Sequence, residues 1–537
     1  MLNILEKIKD VLVKQSKTQV LDKQLSDLPQ PEQMYNLMSM AKEVYKRLLK
    51  GERCLIAGDY DADGVMATTI LKSFFNDIGF GPLVDFLIPD RFKDGYGLSP
   101  NIVEYAKDGG YNFIITVDNG IAAVKAVELA NSYGITVFLT DHHTVPVDPD
   151  SGEEILPPAK FVVCPKQKNE TFPFIEISGA TVAWYLTAAI VKSQNLTYDM
   201  SRYLDFVGIT VITDVMPLTD INLAILKYSL KKVGKKERMI YRLILKDYSV
   251  DEVSYGFSLG PMLNAAGRID NANFLVDLFI SRDQAEIVKL HQKMFELNEK
   301  RKLISHEQTQ LAMTMVSEDD KIIVVKGNFH EGVVGIIAGR LAEVFKKPAI
   351  VLSWNEEGQV LKGSARTFGN VHLYNTLFKI KPLFVGFGGH AGAAGMALEL
   401  KNFDKIKTAL NDIAKTIPAK DWESFEADPF LLPVGDITPD IVHLLESYGP
   451  FGHGNPKPRL EIHSEIQILR SMKNELHWAT LAKEDGESIE AVFFNVGEKF
   501  PSLLDCDGKL KFTAEPKIVK NDYTGVESIQ VYGRLIH

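Results

Sequence analysis

The chain is poor in the features that mark secreted or membrane-spanning proteins. Its three cysteines in 537 residues, Cys54, Cys164 and Cys506, lie far apart with no paired spacing, which excludes a disulfide framework and a cysteine-built zinc site. No apolar run approaches the roughly 18 residues of a membrane span. The opening stretch Met1 to Asp10 mixes charges into its apolar residues, as an amphipathic helix does and a signal peptide does not. A reducing, cytoplasmic setting is expected. Positive net charge is also missing: the balance of -10 excludes nonspecific coating of nucleic acid, so a DNA partner must be met by local cationic patches. No internal repeat or low-complexity tract interrupts the chain, and a prior of roughly 150 residues per domain suggests about three domains.

What is present is a set of acidic and histidine clusters: Asp59-Tyr60-Asp61-Ala62-Asp63-Gly64, Val117-Asp118-Asn119-Gly120, Asp141-His142-His143 and Thr213-Asp214-Val215. Each follows an apolar, β-branched-rich run, so several strands are expected to deliver hard ligands to one place. Residues 53 to about 145 alternate such runs with helical patterns, the rhythm of a parallel sheet covered by helices. In those sheets ligands collect at the carboxyl ends of the strands, where the clusters fall. Alternation in Asp59-x-Asp61-x-Asp63 puts three carboxylates on one side if the chain stays extended there. Two adjacent histidines are hard to explain as packing, because neighbouring strand residues point to opposite faces. One can ligate while the other holds a phosphate or orients a carboxylate. Carboxylates with imidazoles suit Mn²⁺ or Mg²⁺ better than a structural zinc, and several negative ligands are what a pair of divalent ions roughly 3.5–4 Å apart requires. A two-metal phosphodiester hydrolase follows, with no need for a protein nucleophile.

Further along, a cationic stretch from Lys227 to Lys246 reads as a solvated helix face, with nucleic-acid contact as the less favoured alternative. Ser281 to Val316 reads as a long helix joining two lobes. A second α/β unit follows, with strands at Lys321 to Val325 and Pro348 to Leu352 and a helix from Gly335 to Phe345. Gly-rich turns crowd residues 386 to 395. From about Arg459 the pattern changes to short alternating strands, with Ile489, Ala491 and Phe493 on one face and Leu510, Phe512 and Ala514 on another, the signature of a small barrel.

The four clusters resemble the successive motifs of the DHH phosphoesterase superfamily. Leu259 to Arg268, Gly363-Ser364-Ala365-Arg366, Gly388 to Gly395 and Phe451 to Pro456 are similar to later segments of its RecJ branch, the single-strand-specific 5′→3′ DNA exonucleases, over nearly the whole chain. The resemblance implies two α/β lobes, a DHH domain with a parallel sheet and a DHH-associated domain, joined by a long helix and followed by an OB-like barrel. The corresponding spans are 1–235, 236–316, 317–430 and 431–537. It implies that Asp61, Asp63, Asp118, His142 and Asp214 hold two Mn²⁺ or Mg²⁺ ions, with Asp59 beside them as a ligand or a neighbour. Asp118, His142 and His143 then carry catalysis. Ser364 and Arg366, with Gly389 and His390, would cradle a 5′ phosphate faced by Arg91, and Asn264 and Arg268 would contact the scissile region. Tyr96 and Phe329 would stack bases.

The activity so implied releases mononucleotides from single-stranded DNA in repair and recombination. A single-strand-binding protein and a helicase are the implied partners of a monomeric enzyme. Two rivals stand beside it: an oligoribonucleotide or cyclic-dinucleotide phosphodiesterase of the same superfamily, which would need only the first two domains, and a non-catalytic replication scaffold, which would have lost metal ligands that are intact here.

Overall fold

The computed structural model describes residues 4–15, 24–148, 150–246, 249–354, 358–423, 429–473, 475–494, 496–505, 507–520 and 527–536. The chain divides into two compact units, one of residues 27–216 and 225–425, the other of 1–26, 217–224 and 426–537.

The larger unit begins with five short apolar strands, β1 (Cys54–Ala57), β2 (Val84–Leu87), β3 (Phe113–Thr116), β4 (Thr136–Thr140) and β5 (Phe161–Val163). All neighbours are parallel, in the order β2-β1-β3-β4-β5. β1 and β3 are buried along their whole length, as parallel strands covered on both faces must be. Ala57 registers with Thr116 and Thr116 with Leu139, so the loops after β1, β3 and β4 emerge side by side. Because β1 is followed by a strand on one flank and β3 by strands on the other, a crevice opens where their connections diverge. The first three acidic clusters leave the sheet there.

Helix α1 (Ala62–Asp77) starts immediately after β1, and α2 (Gly179–Ser193) and α3 (Leu204–Thr213) pack against it and each other. Two expectations change here. The chain does not stay extended through Asp63: Asp61 caps α1, its carboxylate accepting from the amides of Asp63 (3.0 Å) and Gly64 (3.1 Å). Nor does Asp214 end a strand; it caps the C-terminus of α3, a helix buried from Leu204 to Val211. A short apolar run enclosed on all sides shows the same pattern whether helix or strand, and packing against α1 and α2 overrides the β-branched propensity.

After α4 (Gly260–Ile269), the 30-residue helix α5 (Gln284–Met313) runs roughly 45 Å to the second lobe. That lobe is a sheet of β6 (Ile323–Gly327), β7 (Ala349–Ser353), β8 (Val360–Arg366), β9 (Gly386–Gly389) and β10 (Ala393–Glu399), in the order β6-β7-β8-β10-β9. Helix α6 (Val334–Phe345) packs on one face through Ile337, Ala338 and Leu341, while α7 (Leu373–Phe378) and α8 (Phe403–Ala414) cover the other through Leu373, Leu377, Ile406 and Leu410. The Gly-rich run expected as turns is a β-hairpin, β9 and β10 paired antiparallel about a tight connection. Glycine is disfavoured in strands on its own, and pairing to β8 supplies what local propensity does not. Within the cationic stretch, Lys232 and Arg238 are drawn onto the buried carboxylate of Asp205 (3.4 and 2.7 Å), so part of it braces the fold.

In the smaller unit, β11 (Phe430–Leu431), β12 (Leu460–Met472), β13 (His477–Glu484), β14 (Glu487–Phe493), β15 (Lys509–Lys520) and β16 (Glu527–Leu535) form one sheet. The extra β12–β15 pairing closes five of these strands into a barrel. Ile489, Ala491, Phe493, Leu510, Phe512 and Ala514 meet in its core, joined by Ile8 and Leu12 of the helix Ile4–Gln15. Among the described residues no helix is long and apolar enough to cross a membrane.

Candidate metal centre and anion cavity

The loop after β3 brings Asp118 inward in the left-handed conformation, at φ 62°, which aspartate tolerates better than most residues. Asn119 locks that turn. Its side-chain amide donates to the carbonyls of Ala57 (3.0 Å) and Val117 (2.8 Å), and its oxygen accepts from the amide of Leu98 (3.0 Å), tying the ends of β1 and β3 together. Asp141, buried at the end of β4, accepts from the amides of Ile121, His142 and His143 and bonds Nδ1 of His143 at 2.8 Å. It therefore positions both histidines.

His142 Nε2 lies 3.1 Å from Asp118, 3.5 Å from Asp214 and 3.7 Å from Asp63. Burial, and then the neighbouring His143, depress the pKa of His142 to about 3, so its imidazole is neutral. Neither ring nitrogen of His142 has a hydrogen-bond partner, and neither do single oxygens of Asp59, Asp118 and Asp214. Burial and mutual repulsion raise the carboxyl groups of Asp59, Asp118 and Asp214 well above the ordinary range, and that of Asp63 to about 6. Asp63 is also held by the N-terminus of α2, whose Gly179 and Ala180 amides donate at 2.6 and 2.9 Å.

A neutral imidazole facing three carboxylates, with its nitrogen and two of their oxygens unpartnered, is a donor set assembled for cations. Asp63, His142 and Asp214 can hold one ion, and Asp59, Asp61 and Asp118 another. Asp118 also groups with His142 and His143, placing it between the two sets. The residues fit a pair of hard divalent ions. His143 is differently employed. Burial alone would lower its pKa, but the bond to Asp141 and the surrounding carboxylates raise it to about 9, leaving it cationic beside the cluster. The Tyr96 hydroxyl contacts its ring (3.2 Å) and donates to the Asp118 carbonyl (3.3 Å).

Beside the carboxylates opens a cavity of about 470 Å³, whose lining includes Asp59, Asp61, Arg91, Tyr96, Arg268, Lys362, Ser364 and Arg366. Arg91 is not a surface residue: its guanidinium stacks 3.8 Å from the Tyr60 ring centroid and its Nε donates to the Gly267 carbonyl at 3.0 Å. Arg268 donates to the Gly332 carbonyl (3.1 Å), and burial followed by repulsion from Arg91 and Arg366 lowers its pKa to about 10. Arg366 bonds Ser364 Oγ at 2.8 Å, and Gly335 in the first turn of α6 lies so close that a Cβ there would come 3.0 Å from the guanidinium. Three guanidiniums crowded beside a helix N-terminus form an anion-binding wall.

The expected site residues divide accordingly. Arg91, Tyr96, Arg268, Ser364 and Arg366 line the cavity, and Asp59, Asp61, Asp63, Asp118, His142, His143 and Asp214 surround the cation sites. Asn264 instead accepts from the Ala62 amide at 2.8 Å and so fixes the start of α1. Gly389 and His390 lie exposed at the β9 edge, outside the lining. Phe329, expected to stack bases, is 3% exposed in the core under α6, because the aromatic ring packs there with Ile337 and Leu341. Gly179 and Lys362 were not anticipated as contributors, and Asp141 and Asn119 were named only as members of their clusters. Asp141 was visible beside the two histidines, whereas Gly179 carries no local signal because its partners are over 60 residues away.

Comparison with known proteins places these features in context. The DHH family, N-terminal domain, matches residues 53–211, the DHHA1 domain residues 319–416, and the RecJ OB domain residues 430–534. The single-stranded-DNA-specific exonuclease RecJ of Bacillus subtilis is 33% identical over 485 residues, which is 88% of this chain and 60% of that protein's length. The Haemophilus influenzae protein of the same name is 28% identical over 96% of this chain and 92% of its own. Among solved structures, RecJ of Thermus thermophilus in complex with Mn²⁺ superposes with a TM-score of 0.80 at 25% identity, covering 96% of this chain and 72% of that one. An exonuclease RecJ bound to manganese gives 0.61 at 27% identity, over 72% and 96%.

Proposed function

Because the chain belongs to the RecJ family and matches the DHH, DHHA1 and RecJ OB domains, we propose that it is a metal-dependent exonuclease that degrades single-stranded DNA from the 5′ end to mononucleotides. One observation carries this reading: a single cavity is walled on one side by the carboxylates of Asp59 and Asp61, members of a candidate cation group, and on the other by crowded guanidiniums. That polarity matches a strand end whose scissile phosphodiester meets cations while its terminal phosphate meets arginines.

Asp59, Asp61, Asp63, Asp118, His142 and Asp214 would hold Mn²⁺ or Mg²⁺, which when bound activates water and offsets the charge that builds at phosphorus. The neutral His142 is ready to ligate without losing a proton. Asp141 orients the His143 ring and holds the His142 backbone amide, and the cationic His143 adds positive charge where the phosphate sits. Ser364 and Arg366, with Arg91 and Arg268 beside them, grip the 5′ phosphate, which sets the register at one nucleotide per cut. Capture of one strand end by its terminal phosphate needs no base readout. The barrel would hold the strand through sequence-tolerant contacts. A cytoplasmic monomer working with a single-strand-binding protein and a helicase accords with this chemistry and with the family.

The deciding assay follows single-stranded DNA labelled at either end, with Mn²⁺ and then EDTA, beside blunt duplex and a cyclic dinucleotide. Immediate metal-dependent release of labelled mononucleotide from the 5′ end is expected. Turnover of the dinucleotide with inert DNA would move the enzyme to another branch of the superfamily, and inertness toward all substrates would make it a scaffold.

Arg366→Ala is expected to reduce the preference for a 5′-phosphorylated over a 5′-hydroxyl end by roughly ten- to hundredfold, the worth of a charge-assisted contact. Competition between the two ends in one reaction measures it, and an unchanged ratio would remove Arg366 from the end-binding wall.

A further inference from the structure

The anion wall continues past the place that a terminal phosphate needs. On β8, Leu361 and Ala365 belong to the core under α7 and α8, so Lys362, Ser364 and Arg366 project from the opposite face. Their partners across the β8–β10 pair are Ala397, Gly395 and Ala393, and directly opposed residues share a face. Gly395 and Ala397 line the cavity together with Lys362, Ser364 and Arg366, and a Cβ added at Gly395 would meet nothing within 4 Å. Three side chains able to donate to an anion therefore run beside a strip of small residues over which the cavity stays open.

The strip has an inner and an outer end. Arg366 is half-buried, and its charge acts on Arg268, which also feels Asp61 at the candidate metal centre. Lys362 lies two residues, about 6.8 Å, beyond Ser364. Its side chain is 58% exposed and meets Glu331 at 3.5 Å, itself 37% exposed. A pair so open to solvent is weak, and a stronger anion can take the lysine from it. Charge points the same way. A terminal phosphate carries about two negative charges. Arg91, Arg268 and Arg366 already exceed them, and Lys362 adds to a surplus that Glu331 only partly offsets, since Asp59 and Asp61 face the cations.

We propose that the outer end of the strip is a subsite for a 5′-triphosphorylated strand, with the inner phosphate at Ser364 and Arg366 and the two outer phosphates reaching Lys362. The assignment rests on the exonuclease reading and extends its substrate to ends that still carry the triphosphate with which synthesis began. The bond cut is the same. Water's oxygen bonds to the scissile phosphorus, the bond from phosphorus to the 3′ oxygen breaks, and that oxygen takes up a proton. The first product is then a nucleoside 5′-triphosphate. The strand left behind carries a 5′-monophosphate, and later cuts release monophosphates. Glu331 repels the outer phosphates and Lys362 attracts them, so the two residues set the preference between end types in opposite directions.

Binding of the full chain to 3′-labelled single strands of one sequence, bearing a 5′-triphosphate or a 5′-monophosphate, tests this by fluorescence anisotropy in EDTA. The triphosphate strand is expected to bind at least as tightly as the monophosphate strand. Lys362→Ala should lower the ratio of the two affinities about tenfold, the worth of a charge-assisted contact, and Glu331→Gln should raise it. Both side chains reach solvent, and equal melting temperatures verify that the variants fold. A triphosphate strand bound more weakly than the monophosphate strand, or a ratio unchanged by Lys362→Ala, would overturn the proposal. With Mn²⁺ added, the first product from the triphosphate strand should be the nucleoside triphosphate, and release of pyrophosphate ahead of any cut would overturn it as well. Failure to cleave either strand would sink the exonuclease reading, whereas the binding ratios decide the subsite.

Discussion

Asp118→Asn should slow metal-dependent cleavage by about 10³-fold or more while raising the melting temperature of the metal-free protein by a few degrees. The two effects have one cause. Asp118 is a buried carboxylate whose pKa is raised by desolvation and by Asp63, Asp61 and Asp214, so without cations it destabilises the fold, and with them it joins Asp59 and Asp61 in one candidate group and also clusters with His142 and His143. Asparagine keeps the shape, suits the φ of 62°, and removes the charge. Alanine would add backbone strain to the loss of the ligand, which makes it the less informative change. Scanning calorimetry with and without Mn²⁺ separates the terms. The parent protein should gain about 2.7 kcal/mol at Mn²⁺ one hundred times its dissociation constant, and the variant much less. A variant with parental activity, or an unaltered response to Mn²⁺, would remove Asp118 from the metal centre.

Gly179→Ala should cost about 10²-fold in activity although residue 179 carries no chemistry of its own. A Cβ there would come within 2.5 Å of both Cβ and Oδ1 of Asp118, too near the backbone for the side chain to swing clear, so the ligand must move. The alanine amide can still donate to Asp63 as the glycine does, which isolates the steric effect. Displacements of about 1 Å at a reacting centre cost rates of this order. Single-turnover cleavage at saturating Mn²⁺ measures it. Activity within twofold of the parent would mean that the β3 loop yields and that the site does not depend on this contact.

The candidate metal ligands could be picked out in the sequence because their positions are set locally. Asp61 and Asp63 begin a helix, Asp118 follows a strand and precedes a turn, and His142 and His143 follow another strand. Strand ends are where a parallel sheet exposes side chains, so the type and position of these residues already imply their convergence. The barrel was legible for a similar reason: Ile489, Ala491 and Phe493 alternate with polar residues, and a period of two has one structural meaning. Asp214 was read as a candidate ligand but placed on the wrong kind of element, since a fully buried helix and a buried strand look alike in a short apolar run.

By itself, then, the sequence determined the candidate ligand set, the parallel sheet beneath it and the alternation that closes a barrel, because each depends on residues within a few positions of one another. Only the tertiary structure decided which arginines share a wall, that Asn264 braces a loop and Phe329 fills a core, and that Gly179 must lack a side chain. Apart from Phe329, whose core neighbours lie nearby on the same lobe, those facts depend on contacts between segments separated by 60 to 300 positions, and the spacing of residues along a chain carries no record of which distant neighbour packing will bring alongside.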